Sequence, residues 1–127
     1  MKPKSRTLTE QELEIMKLIW ELGPATVRDV YEKLLERRAV AYTTVMTMMG
    51  ILEGKGHLVR RPEGRAYVYE AAEGKGAVLS SMVSEFVERV FDGAAEPLVL
   101  SLVRDRKLSK KDLAEIARMI EEAPEDP

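Results

Sequence analysis

The 127-residue chain has no cysteine and only one histidine, His57. Disulfides, thiolate nucleophiles and thiolate metal sites are thereby excluded, as is any zinc site that needs a pair of histidines. Long apolar runs are missing too. The longest uninterrupted hydrophobic stretch is four residues, at Ala39–Tyr42 and again at Ala66–Tyr69, against the roughly 20 required to cross a bilayer. The N-terminal Met-Lys-Pro-Lys-Ser-Arg-Thr runs straight into the charged stretch Thr9–Glu14 without the apolar region of a secretory signal, so a cytoplasmic protein with no membrane insertion is expected. No nucleophile and base pair, metal cluster or glycine-rich phosphate loop is legible, which argues against an enzyme and against a cofactor.

Net charge is small, at -2, but unevenly spread. Residues 1–72 carry 12 basic and 10 acidic side chains, whereas residues 73–127 carry 8 and 12. The basic excess concentrates between Arg37 and Arg65, where Arg37, Arg38, Lys55, Arg60, Arg61 and Arg65 face only Glu53 and Glu63. A local surplus of that kind is a footprint for a polyanion.

Thr9-Glu10-Gln11-Glu12 has the capping-box pattern, with Leu8 and Leu13 spaced for a hydrophobic staple. It predicts a first helix with Leu13, Met16, Ile19 and Trp20 as its apolar stripe, ending at Gly23-Pro24. Thr26-Val27-Arg28-Asp29 repeats the cap signal, and Val27, Val30, Tyr31, Leu34 and Leu35 follow helical spacing without interruption. A third helix is expected from about Tyr42 to Glu53, buried through Val45, Met48, Met49 and Leu52 and closed by Gly54 or Gly56; Ala41 before it cannot cap. His57–Arg61 and Ala66–Ala71 read as two strands joined by Pro62-Glu63-Gly64-Arg65. Three helices followed by a hairpin is the order of a winged helix-turn-helix module, which places a domain boundary at residue 72.

Residues 73–127 are predicted to form three more helices after a junction at Glu73-Gly74-Lys75-Gly76. Val78, Leu79, Met82, Val83, Phe86, Val87, Val90 and Phe91 give the first a broad apolar face up to Asp92-Gly93. Pro97 opens the second, which contains Leu98, Val99, Leu100, Leu102 and Val103; Ser109 with Asp112 caps the third, striped by Leu113, Ile116, Ala117 and Ile120. The chain is expected to fray after Pro124. An isolated core of about 50 residues is marginal, so a second copy is expected to supply the missing surface. The expectation is a homodimer with Leu79, Met82, Val83, Phe86, Val90, Leu98, Leu102 and Ile116 at its interface.

On a helical wheel the face of helix 3 opposite its buried stripe holds Thr43, Thr47, Gly50 and Gly54, flanked by Met46, Thr44 and Ile51. Hydroxyls, glycines and methyl groups suit close approach to a major groove, although the same small, nearly uncharged face would also suit packing on a protein. Arg60, Arg61 and Arg65 flank or occupy the hairpin turn and are followed by Tyr67 and Tyr69, so a cationic projection can reach phosphate or a minor groove. With Lys55 they complete the candidate DNA-binding set. Lys2, Lys4 and Arg6 read either as a basic arm or as a solvated tail, His57 as a helix-end or strand-start residue, and the methionines at helix stripes as core filler.

Three stretches together resemble a known family: Leu8-Thr9 with Gln11-Glu12-Leu13-Glu14-Ile15-Met16 through Ile19-Trp20; Ala41-Tyr42-Thr43-Thr44-Val45-Met46-Thr47 with Leu52-Glu53-Gly54-Lys55-Gly56; and Phe91-Asp92-Gly93 leading to Leu98-Val99-Leu100 and Leu108-Ser109. Over residues 8–122 the chain is similar to the penicillinase repressors, the BlaI/MecI/CopY group of bacterial transcriptional repressors. The resemblance implies a mainly α fold: an N-terminal winged helix-turn-helix domain with a small hairpin wing, a three-helix dimerisation domain, and repression at a dyad operator in double-stranded DNA. It implies that helix 3 is the recognition helix, with Thr43, Thr44, Met46 and Thr47 on the base side, and that Arg60–Arg65 belong to the wing. Some family members have arginine where this chain has Met46 and Ile51, so its operator need not match theirs. Copper-responsive members carry a C-terminal cysteine cluster, which a cysteine-free chain lacks. The β-lactam-responsive members are inactivated when a membrane-embedded sensor protease brings about cleavage in the segment corresponding to Leu100-Ser101-Leu102. The bond cut there typically joins asparagine to phenylalanine, and here it is Ser101-Leu102. The alternative left by the residues themselves is a winged-helix protein-interaction module that uses the helix 3 face on a protein partner.

Overall fold

The computed structural model describes residues 7–124; Lys2, Lys4 and Arg6, and the tail beyond Pro124, lie outside the described residues. Thr9 starts α1 (Glu10–Leu22) with a complete capping box: its hydroxyl accepts from the Glu12 amide at 3.1 Å, and its own amide donates to the Glu12 carboxylate at 2.9 Å. Leu8 is buried and Leu13 packs against the core, as a hydrophobic staple requires. Gly23, at φ 81°, closes the helix with its N–H on the Ile19 carbonyl. Ile15 and Leu18 are buried beside Met16 and Ile19, a wider arc than the single stripe read from the spacing. The reason is that α1 packs against α2, α3 and the hairpin together.

A second capping box, Thr26 with Asp29, opens α2 (Val27–Leu35). Val30 and Leu34 are buried, whereas Leu35 is 45% exposed, because it sits at the margin of the stripe where the helix ends. Tyr42–Gly54 forms α3, buried through Val45, Met49 and Leu52. No side chain caps α3 at Ala41. Its start is held instead by Tyr42, whose ring meets Tyr31 of α2 edge-on at 5.4 Å, with the Arg28 guanidinium 5.6 Å from its centroid.

The hairpin comprises β1 (Leu58–Glu63) and β2 (Ala66–Ala71), antiparallel, with Leu58 opposite Ala71 and Glu63 opposite Ala66. The loop is therefore Gly64-Arg65 alone, shorter than the four residues expected. Pro62 remains inside β1, as a proline can in a strand with an open edge, and Gly64 at φ 63° supplies the left-handed step of a two-residue turn. Ala25 adds an isolated bridge to β2 that local sequence patterns do not signal. Its N–H donates to the Tyr69 carbonyl at 3.0 Å and its carbonyl accepts from the Tyr69 amide at 2.8 Å.

Further on are α4 (Lys75–Phe91), α5 (Ala95–Arg104) and α6 (Lys110–Glu122), the last opened by a Ser109–Asp112 capping box. The chain divides into two compact units, up to Met82 and from Val83, and the division falls within α4. Val78 and Met82 belong to the packing of the first unit's core, and the Trp20 indole N–H donates to the Glu73 carbonyl at 3.0 Å just before α4. From Val83 to Pro124 no residue is buried. Val83, Phe86 and Val90 on α4, Val99, Leu100 and Val103 on α5, and Ile116, Met119 and Ile120 on α6 are all exposed, although Phe86 and Phe91 meet edge-on at 5.8 Å.

Candidate nucleic-acid interface

Burying Val45, Met49 and Leu52 against α1 and α2 turns the opposite side of α3 outward. Thr43, Thr44, Met46, Thr47, Gly50, Ile51 and Gly54 are all exposed. Met46 and Ile51 are 47% and 46% exposed, and a Cβ built at Gly50 or Gly54 would meet nothing within 4 Å. The chain's own packing thus gives no reason for glycine inside this helix, where it costs about 0.8–1.0 kcal/mol relative to alanine. The first turn of α3 carries no acidic residue, and the outward face has no charged side chain between Thr43 and Gly54 other than half-buried Glu53.

The hairpin places its arginines on two faces. Arg60 shares a face with Tyr67 and Tyr69. Its guanidinium lies 4.1 Å from the Tyr67 ring centroid and 3.2 Å from the Glu53 carboxylate of α3. A hydrogen bond with Tyr69 first, then the Glu53 charge, hold Arg60 above its ordinary pKa. Arg61, on the other face, pairs with Glu70 and, at 3.7 Å, with Glu63. Arg65 occupies the turn, exposed, with no carboxylate partner among the described residues, and Arg37 is in the same position after α2. Both paired wing side chains stay open to solvent, Arg60 at 42% and Arg61 at 51%. Exposed ion pairs contribute only about 0–1 kcal/mol, so a phosphate can displace these carboxylates.

Arg38, at 42% exposed, keeps to that pattern, whereas Lys55, at 25%, does not. The Arg38 guanidinium donates to Glu14 of α1 at 2.8 Å, and Lys55 donates to Glu12 at 2.7 Å and to the Thr7 carbonyl at 3.2 Å. Lys55, placed with the DNA-facing set on sequence grounds, is thus turned inward: its acidic partner lies 43 residues away, a separation that helical spacing cannot reveal. Glu53, Glu70 and Tyr67 as partners of the wing arginines were likewise missed. For Tyr67 and Glu70 the signal was present in the strand alternation, which sets Arg60 with Tyr67 and Arg61 with Glu70 on common faces; Glu53 lies on α3, where that alternation does not reach. His57 is 3% exposed and lies between α3 and β1, its amide on the Leu52 carbonyl and its carbonyl accepting from Ala72, in keeping with a helix-end residue.

Of the residues assigned to a dimer interface, Val83, Phe86, Val90 and Ile116 are exposed, whereas Leu79, Met82, Leu98 and Leu102 are half-buried. Met82 spends part of its surface on the first unit's core. Ser101 and Leu102 lie inside α5, both half-buried. No helix of the described residues is long and apolar enough to cross a membrane.

Three helices, a two-stranded wing and an open face on the third helix define a winged helix-turn-helix module of the kind found in DNA-binding repressors. The solved DNA-binding domain of the repressor BlaI is similar to it, with a TM-score of 0.53 and 30% identity over 58% of this chain and 90% of that one. The penicillinase repressor of Bacillus licheniformis is 27% identical over 91% of this chain and 90% of its own. The transcriptional regulator BlaI of Mycobacterium tuberculosis is 30% identical over 76% and 71%, and the methicillin resistance regulatory protein MecI of Mammaliicoccus sciuri is 22% identical over 94% and 98%. Residues 8–122 match the penicillinase repressor family, and the chain belongs to it. Members of that family are transcriptional repressors, not enzymes.

Proposed function

We propose that this chain is a homodimeric repressor acting in the cytoplasm, in which paired α3 helices read the two halves of a dyad operator and the wings grip the flanking backbone. Thr43, Thr44, Met46 and Thr47 meet base edges, where threonine can hydrogen-bond and methionine can pack on thymine methyl groups. Arg60, Arg61 and Arg65 meet phosphate, positioning without specifying. The observation that carries this reading is the outward face of α3: small, nearly uncharged, and with open space at Gly50 and Gly54. The apolar residues left exposed on α4, α5 and α6 support a second copy as their cover. Residues 1–72 act as the reader, and residues 73–127 as the dimerisation domain.

Two readers held in one dimer make the second half-site encounter intramolecular, which raises operator affinity roughly 10²-fold or more. A cut at Ser101–Leu102, prompted by a membrane sensor protease, would remove the end of α5 and all of α6 and so abolish that coupling without touching a DNA-facing residue. The bond is helical, so α5 must open before a protease can hold it extended. Electrophoretic mobility shift with DNA from upstream of the protein's own gene tests the reading. The expected result is a sequence-preferring complex that weakens steeply with salt; binding indifferent to both sequence and salt would refute it.

A further inference from the structure

Lys55 stands at the C-cap of α3, where a cation could meet a polyanion lying along that helix, yet its ammonium is engaged from behind. Its side chain is 25% exposed and that of Glu12 only 6%. The Glu12 oxygen that accepts from Lys55 also accepts the Thr9 amide, so a single carboxylate atom ties the first turn of α1 to the last turn of α3. Directly beyond Lys55 the chain turns through Gly56 at φ 87°, and the His57 amide bonds back to the Leu52 carbonyl before β1 begins. The pinned point is therefore the corner between the reading helix and its wing.

We infer that the Glu12–Lys55 pair is a positioning clamp for DNA reading: it fixes the corner between α3 and the wing against α1, and Lys55 governs DNA affinity through that placement without contacting phosphate. The inference rests on the DNA-binding reading of the α3 face. Depth separates this pair from the wing pairs. A phosphate can take Arg61 from Glu70 at the surface, but taking Lys55 would strand a buried carboxylate, which costs far more than an exposed pair returns. Glu12 also borders the shallow groove that Gln11 shares with Thr43, Thr44, Thr47 and Ile51. Without Lys55 its negative charge would lie uncompensated beside the face offered to DNA.

The two roles open to Lys55 make opposite predictions for Glu12→Gln. A lysine held back from phosphate would be released, and binding would tighten. A clamp would loosen, and binding would weaken even though one negative charge has gone. Glutamine can still close the capping box with Thr9, so α1 is retained. The test is fluorescence anisotropy of the full-length wild type, Glu12→Gln, Lys55→Met, the double variant and Lys55→Arg on one labelled upstream duplex. It is run over a range of salt concentrations, at a temperature where circular dichroism shows each protein folded. Each single variant is expected to lose about tenfold in affinity, the double variant about the same as one single, and Lys55→Arg only a fraction of that, with the salt slope unchanged throughout. Glu12→Gln binding as tightly as wild type or tighter, or Lys55→Met reducing the salt slope by the roughly 0.9 that one neutralised phosphate contributes, overturns the clamp while leaving DNA binding intact. A folded wild type with no affinity for any duplex would instead overturn the reading of the α3 face, and the clamp with it.

Discussion

Gly50→Ala should raise stability and lower DNA affinity together. Within the chain the substitution has no steric cost, since nothing lies within 4 Å of the new Cβ and the backbone there is ordinary helix. Replacing glycine by alanine in a helix interior is worth about 0.8–1.0 kcal/mol, which for a unit of this size corresponds to a rise of roughly 3–8 °C in melting temperature. If α3 lies in a major groove with Gly50 at the closest approach, the added methyl meets nucleic acid. Overpacking a close approach of that kind costs about 1–3 kcal/mol, or roughly 5- to 150-fold in affinity for each reader. Thermal melting by circular dichroism and anisotropy on operator DNA measure the two effects on one preparation. A stabilised variant with operator affinity within twofold of wild type would show that nothing approaches this face closely, and would refute the reasoning that accounts for its glycine.

Arg65→Ala should shallow the log-log salt dependence of DNA binding by about 0.9 for each phosphate that Arg65 neutralises, and an unchanged slope would place Arg65 off the DNA. Phe86 is 41% exposed, so covering it with a second chain buries on the order of 80 Å² and stabilises by about 2 kcal/mol per protomer. Phe86→Ala should accordingly weaken the dimer by roughly 10²-fold or more in sedimentation equilibrium, whereas an unaffected association constant would take Phe86 out of the interface. Burial pushes the Glu12 carboxyl upward, but Lys55 and the Thr9 capping bonds outweigh it, and its pKa lies below the ordinary 4.5. Its contribution to stability is therefore present above pH 4.5 and lost as pH falls through the lower folded value. Glu12→Gln should flatten the pH dependence of stability in that acid range, and a curve parallel to wild type would contradict the pairing.

Local signals in the sequence mapped closely onto local structure. The capping boxes at Thr9, Thr26 and Ser109 each start a helix as expected, and α2 runs from Val27 to Leu35 as its spacing indicates. What the sequence concealed depends on contacts between distant residues. The Ala25–Tyr69 bridge joins two elements that no periodicity relates, the burial of Ile15 and Leu18 reflects the number of neighbours around α1, and Lys55 reads as a surface cation until Glu12 is brought beside it by the fold. At the hairpin, proline and glycine suggested a longer loop because proline often marks a turn. In an edge position it continues the strand, and Gly64 alone provides the left-handed step. The outward face of α3 was legible because burial of one stripe determines its opposite.

The central claim, a dimer whose two α3 helices read a dyad, is tested most directly by selecting bound duplexes from a random pool with the full-length protein and sequencing them. The expected result is an enriched inverted repeat with half-site centres about 10–10.5 base pairs apart or a multiple of that spacing. Thr47→Ala should relax the preference at one position in each half. Enrichment of a single unrepeated site, or no enrichment over the starting pool, would contradict it.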